Sequence, residues 1–102
     1  MRTEFEAFLD RFLQEVRKTL LEREKAYGPP ERSFFVLQEF WSKALGQELS
    51  ASQVVLLLAL LKASRLAWNE QQPDSWIDLA GYAILGAYLQ GREPERCGCE
   101  SA

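Results

Sequence analysis

The sequence predicts an all-α fold, a four-helix bundle-like single domain. Three observations carry that expectation. Helix start and stop signals divide the chain into four segments, apolar residues within each recur at steps of three and four, and no stretch shows the two-residue alternation of a half-buried strand. Thr3 and Glu6 form a capping-box pattern, Phe5, Phe8, Leu9, Phe12, Val16 and Leu20 mark one face, and Gly28, Pro29 and Pro30 stop the first helix, giving a span of 3–25. Ser33 reads as the cap of a second helix over 33–45, with Phe34, Leu37, Trp41, Ala44 and Leu45 on one face and Gly46 at its end. Ser50 and Gln53 repeat the capping box and open a third helix over 51–68. After the loop NEQQP, Asp74 reads as the cap of a fourth helix over 75–89. The domain is expected to occupy residues 1–90, and 91–102, GREPERCGCESA, reads as a flexible tail.

Composition narrows the function classes. With 102 residues the chain is long enough for one core, and 47% hydrophobic with 26% charged residues is a globular balance. A net charge of −3 gives no general attraction to nucleic acid, so that partner is not expected. The chain has no histidine, which removes the commonest general base and zinc ligand. Cys97 and Cys99 lie in the tail, one glycine apart; that spacing strains a disulfide and leaves a zinc site two ligands short. The longest uninterrupted apolar run, VVLLLALL at 54–61, is shorter than the roughly 18 residues of a spanning helix, so no membrane partner is expected. The opening MRTEFEAFLD has acids where a signal peptide has its apolar core, and a cytoplasmic setting follows. The third helix is apolar all round from Val54 to Leu61. Three other helices cannot surround it, so a homodimer or higher homo-oligomer is expected.

Each helix also carries charge beside its apolar run. Asp78 stands among Trp76, Ile77, Leu79, Ala80, Ala83, Ile84 and Leu85, where a bare carboxylate would be costly. Asp74 lies one helical turn before it on the same face. Arg23 and Tyr27 continue the apolar stripe of the first helix, Lys62 and Arg65 follow the apolar run of the third, and Glu39 sits between Val36 and Phe40 in the second. Carboxylates and cations converging in a bundle bind a metal ion and phosphates. For each residue a structural reading stands beside the functional one. Lys62 and Asp78 form an internal ion pair, Asp74 is a helix cap, Glu39 pairs with Lys43 on the surface, Arg23 complements a helix C-terminus, and the tryptophans are core.

The segments REKAYG at 23–28, EFW at 39–41, KASR at 62–65 and DSWIDLAGYA at 74–83, in that order, resemble a phage-rich family of small helical proteins of unknown function. The Asp-x-x-x-Asp-x-x-x-Tyr arrangement is similar to the nucleotide modification associated domains of phages. More distantly the chain resembles the all-α nucleoside triphosphate pyrophosphatases, the MazG-like and dimeric dUTPase group. Those oligomeric bundles hold magnesium with ExxE and ExxD motifs, and the metal activates water for attack between the α and β phosphates. Here the second helix offers only Glu39, and DSWID sets its acids four apart rather than three. The resemblance implies a nucleotide-binding phage-type protein, a magnesium-dependent pyrophosphohydrolase or a degenerate relative of one. On that reading Asp74, Asp78 and Glu39 hold Mg²⁺, Arg23, Lys62 and Arg65 take phosphates, and Tyr27 or Trp76 contacts the base. The alternative is a non-catalytic phage protein that binds a host protein through an apolar surface, with the same charges forming internal pairs.

Overall fold

A computed structural model describes residues 1–92 as four α-helices: α1 Glu4–Tyr27, α2 Pro30–Leu45, α3 Ala51–Trp68 and α4 Pro73–Gln90. No strand occurs among the described residues, and the all-α bundle-like architecture holds. The expected tail, with Cys97 and Cys99, lies almost wholly outside the described residues.

Two helix starts follow from the predicted caps. At α1 the Glu6 N–H donates to Thr3 Oγ1 and the Thr3 N–H donates to Glu6 Oε1, both at 3.0 Å. At α3 the reciprocal pair between Ser50 and Gln53 spans 2.8 and 3.1 Å. The other two starts differ from expectation for one shared reason. Ser33 does not cap α2; that helix begins at Pro30, with Pro29 as N-cap. Asp74 does not cap α4; that helix begins at Pro73, with Gln72 as N-cap and Asp74 in the first turn. Proline at the first helical position has a preset φ and lacks an N–H that would have no partner there, so the two prolines open helices as well as close loops. Gly28, at φ 90°, supplies the break between α1 and α2.

α3 packs most extensively on α4, and α1 also lies along α4, while α1 and α3 do not pack on each other. The core is small. Val16, Leu49, Ala51, Val54, Val55, Leu66 and Leu89 are its buried apolar residues. Phe34, Phe35, Tyr82 and Leu85 pack against the Ala51–Val55–Leu89 cluster from its rim. Only the middle of the predicted α1 stripe is covered: Val16 is buried, whereas Phe5, Phe8 and Leu9 are exposed. On α2, Ala44 and Leu45 are exposed as well. Eighteen large apolar side chains are exposed among the described residues, against seven buried apolar ones, so one chain leaves much of its apolar surface unburied.

The whole of α3 is longer than its uninterrupted apolar run. Its 18 residues, with mean hydropathy 1.3, are long and apolar enough by length and composition to cross a membrane. Of the two charges inside that span, Lys62 is paired with Asp78 on α4 and Arg65 is exposed.

A polar clasp ties the start of α2 to the end of α4. The Tyr88 hydroxyl donates to Glu31 Oε2 at 2.7 Å, and the Arg92 guanidinium lies 4.1 Å from the Tyr88 ring centre. The hydrogen bond from Tyr88 holds the Glu31 carboxyl below its ordinary range, and the same bond pushes the Tyr88 phenol up. A lowered carboxyl contributes stability above its unfolded pKa and loses it as pH falls through the folded value. A raised phenol contributes below its unfolded pKa and loses its share as pH rises through the folded value. Tyr88→Phe should therefore melt below the native protein at neutral pH, and the two melting curves should converge in acid, below the normal carboxylate range. Thermal melts at stepped pH check this; a constant gap down to acid pH would refute it.

Gly81 sets the approach of α1 to α4, because a Cβ there would lie 3.3 Å from Leu20 Cδ2. Gly81→Val is expected to cost about 1–3 kcal/mol through overpacking. Urea denaturation measures it, and an unchanged midpoint would mean that α1 is free to move away.

Candidate functional site

The site is built around the charge that the α4 sequence places inside the bundle. Asp78 has only 11% of its side chain exposed. Its Oδ2 accepts from Lys62 Nζ on α3 at 3.0 Å, and its Oδ1 accepts from Arg23 Nη2 on α1 at 3.2 Å. One carboxylate thus joins three helices, including the two that do not pack on each other. Lys62 is nearly as enclosed as Asp78, at 14%, whereas Arg23 is half exposed, at 49%. Each charge-assisted bond offsets part of the desolvation of the enclosed pair.

All four helices line a cavity of about 540 Å³, with most of the lining from α1 and α2. Leu20, Arg23, Glu24 and Tyr27 of α1 form one wall and Pro30, Ser33, Phe34 and Leu37 of α2 another, and Leu58 of α3 with Tyr82 and Leu85 of α4 completes the lining. The lining is mainly apolar and aromatic, with a few polar groups at the edge, which is the usual make-up of a small-molecule site. Arg23 lines the cavity and engages Asp78 through a single guanidinium nitrogen, which leaves further donors in its fork.

Of the residues singled out in the sequence, the cavity brings together Arg23 and Tyr27, with Asp78 behind them. Lys62 and Arg65 do not line it. Lys62 is committed to Asp78, and Arg65 is exposed and makes no ion pair among the described residues. Trp76 is also elsewhere; its indole N–H donates to the Glu70 carbonyl at 2.9 Å. The proposed magnesium ligands are not gathered. Glu39 is exposed and lies 3.9 Å from Lys43, Asp74 is exposed in the first turn of α4, and no group of three or more metal-ligating side chains converges among the described residues. The inward polar residue of α2 is Gln38, at 4% exposure, one position before Glu39. A one-residue step turns the helix by about 100°, which takes Glu39 out of the bundle.

Among the lining residues, Glu24 was not singled out in the sequence, Ser33 was expected only as a helix cap, and Tyr82 only as the tyrosine of the Asp-x-x-x-Asp-x-x-x-Tyr arrangement. Tyr82 had a signal, since it stands one turn after Asp78 as Asp78 stands one turn after Asp74. Glu24 and Ser33 had none, because their role depends on how α1 and α2 cross.

Residues 11–90 match a family described as a domain of unknown function (DUF6378). The chain belongs to that family. A relative, the "Gene 55 protein" of Mycobacterium phage D29, is 37% identical over 62 residues, 61% of this chain. The chain covers 41% of that protein's length. No solved structure matches the chain. The protein is thus phage-associated and of a family without an assigned function, as the REKAYG and DSWIDLAGYA segments led one to expect. Neither match reaches the pyrophosphatases.

Asp78→Asn keeps the shape and removes the charge, leaving Lys62 enclosed without a counter-ion. It should cost about 3 kcal/mol, the range for breaking a buried pair. Glu39→Gln, at an exposed pair, should cost less than about 1 kcal/mol. Paired chemical denaturation curves test the contrast, and equal losses would refute the distinction.

Proposed function

We propose that the protein binds a nucleotide-class ligand, an aromatic base carrying phosphate, in the cavity lined mainly by α1 and α2. The observation that carries this reading is the position of Arg23. It is a half-exposed guanidinium, paired with Asp78, in the lining of a mainly apolar and aromatic cavity of about 540 Å³. That volume lies within the roughly 300–1,000 Å³ of small-molecule sites. The guanidinium fork matches phosphate geometry. Tyr27, on the same wall and 72% exposed, offers a face to a base, and the Glu24 carboxylate offers an acceptor to a sugar hydroxyl or a base amino group. The proposed role is binding without magnesium-assisted turnover. Asp78 already serves two cations, and the other two carboxylates of the expected magnesium set lie on exposed surface. Phosphoryl hydrolysis needs metal ligands grouped around a placed water.

The test is thermal unfolding with a panel of nucleoside mono- and triphosphates, with and without Mg²⁺. A ligand at 100 times its Kd adds about 2.7 kcal/mol to folding stability. For a domain of this size that raises Tm by on the order of 10 °C. At least one nucleotide should produce such a rise without Mg²⁺. Tyr27→Ala should reduce it while leaving the ligand-free Tm within a degree or two, since Tyr27 is largely exposed. No shift with any nucleotide overturns the proposal. A shift that requires Mg²⁺, together with pyrophosphate release, would restore the hydrolase reading.

A further inference from the structure

One face of α3 remains unexplained by the bundle or by the cavity. Val54, Val55 and Leu66 of this helix are buried, and Lys62 faces Asp78 on the same side. On the opposite side Gln53, Leu57, Leu60, Ser64 and Ala67 recur at alternating steps of four and three, the heptad spacing of a helix-pairing seam. Leu56, Leu61 and Trp68 flank it. Leu56, Leu57, Leu60 and Leu61 are 41–62% exposed and Trp68 is 88% exposed. Only 22% of the helix is buried, and no residue from Ala51 to Leu61 is charged.

We propose that this seam pairs with the same seam of a second copy of the chain, antiparallel, to form a two-fold homodimer. Self-pairing is permitted because the seam itself carries no charge, so no like charges meet along it. The absence of a cation on the seam also removes the basis for a nucleic-acid partner. The available surface is of the right size. Trp68 alone offers on the order of 200 Å², and with the four leucines the face is of the same order as the roughly 800 Å² per partner of a specific interface.

The direction of pairing follows from the order of large and small residues. Leu57 and Leu60 occupy the N-terminal half of the seam, and Ser64 and Ala67 the C-terminal half. A parallel pair would set leucine against leucine at one end and small against small at the other, crowding the first and leaving a void at the second. An antiparallel pair sets Leu57 against Ser64 of the second copy, places Leu60 near the two-fold axis, and lays Trp68 over the Gln53 end. It also sets the two helix dipoles in opposition. The dimer leaves the cavity on the far side of α3 open, so it neither requires nor excludes the ligand proposed above.

The experiment uses the full chain with Cys97→Ser and Cys99→Ser, so that introduced cysteines report alone. Sedimentation velocity at micromolar concentration should give a dimer. The double substitution Leu57→Glu with Leu60→Glu, at two exposed positions, should give a monomer with unchanged helical circular dichroism. Under mild oxidation Leu60→Cys should cross-link to itself. Leu57→Cys and Ser64→Cys should each fail to do so alone, yet cross-link when co-expressed. Three outcomes overturn the proposal: a monomeric parent chain, including one that partitions into phosphatidylglycerol vesicles through the same face, a dimer that survives both glutamates, or self-cross-linking of Leu57→Cys and Ser64→Cys in a parallel arrangement.

Discussion

A carboxylate enclosed in a bundle must find positive charge, and that requirement organises this protein. Asp78 has little access to water, so its folded position exists only where cations can reach it. Lys62 comes from α3 and Arg23 from α1, and these are the two helices that do not pack on each other. Asp78 is therefore the point at which both are fixed to α4. The cavity lies beside this junction, with Arg23 in its lining. The interaction is unequal on its two sides. Lys62 is enclosed and its charge depends on Asp78, whereas Arg23 is half exposed and retains donors for another anion. The same carboxylate thus closes one side of the bundle and orients a cation on the open side.

The need of Asp78 for partners was legible in the sequence because it rests on local facts: a charge inside an apolar run, and cations at the end of two neighbouring stripes. The distinction between Lys62 and Arg65 was not. They are three residues apart, which places Arg65 about 60° around the helix from Lys62, enough to move it off the buried face. The same geometry puts Glu39 on the surface beside Lys43, the structural reading given for it, while Gln38 one position earlier is buried. The capping boxes at Thr3 and Ser50 were legible because their reciprocal hydrogen bonds involve residues three apart. The starts of α2 and α4 were obscured because proline serves both as a helix stop and as a first helical residue, and the neighbouring Ser33 and Asp74 offered more familiar caps. The cavity was invisible in the sequence. It depends on the crossing of α1 over α4, where Gly81 admits Leu20, and no periodicity encodes that crossing.

The apolar surface and the small core are two sides of one balance. A chain of this length buries a limited fraction of its surface, and here α3 gives a single side to α4 while its other side stays apolar. The exposed leucines are arranged, not scattered, since they follow a heptad seam with uncharged residues at every position. Membership in a phage-associated family of unknown function leaves the ligand and the partner open to direct measurement. The residues that matter for each lie on opposite sides of the same bundle, so the two can be tested separately.

The Asp78 carboxylate and the Lys62 ammonium act as one unit in holding the bundle. A double-mutant cycle with Asp78→Leu, Lys62→Met and the pair together measures it most directly, by urea unfolding at neutral pH. Each single change leaves one enclosed charge unpaired and should cost about 3 kcal/mol, while the double change replaces the pair by apolar groups and should recover most of that loss. A coupling of about 2 kcal/mol or more is the predicted result. Single losses below about 1 kcal/mol that simply add in the double variant would contradict the account.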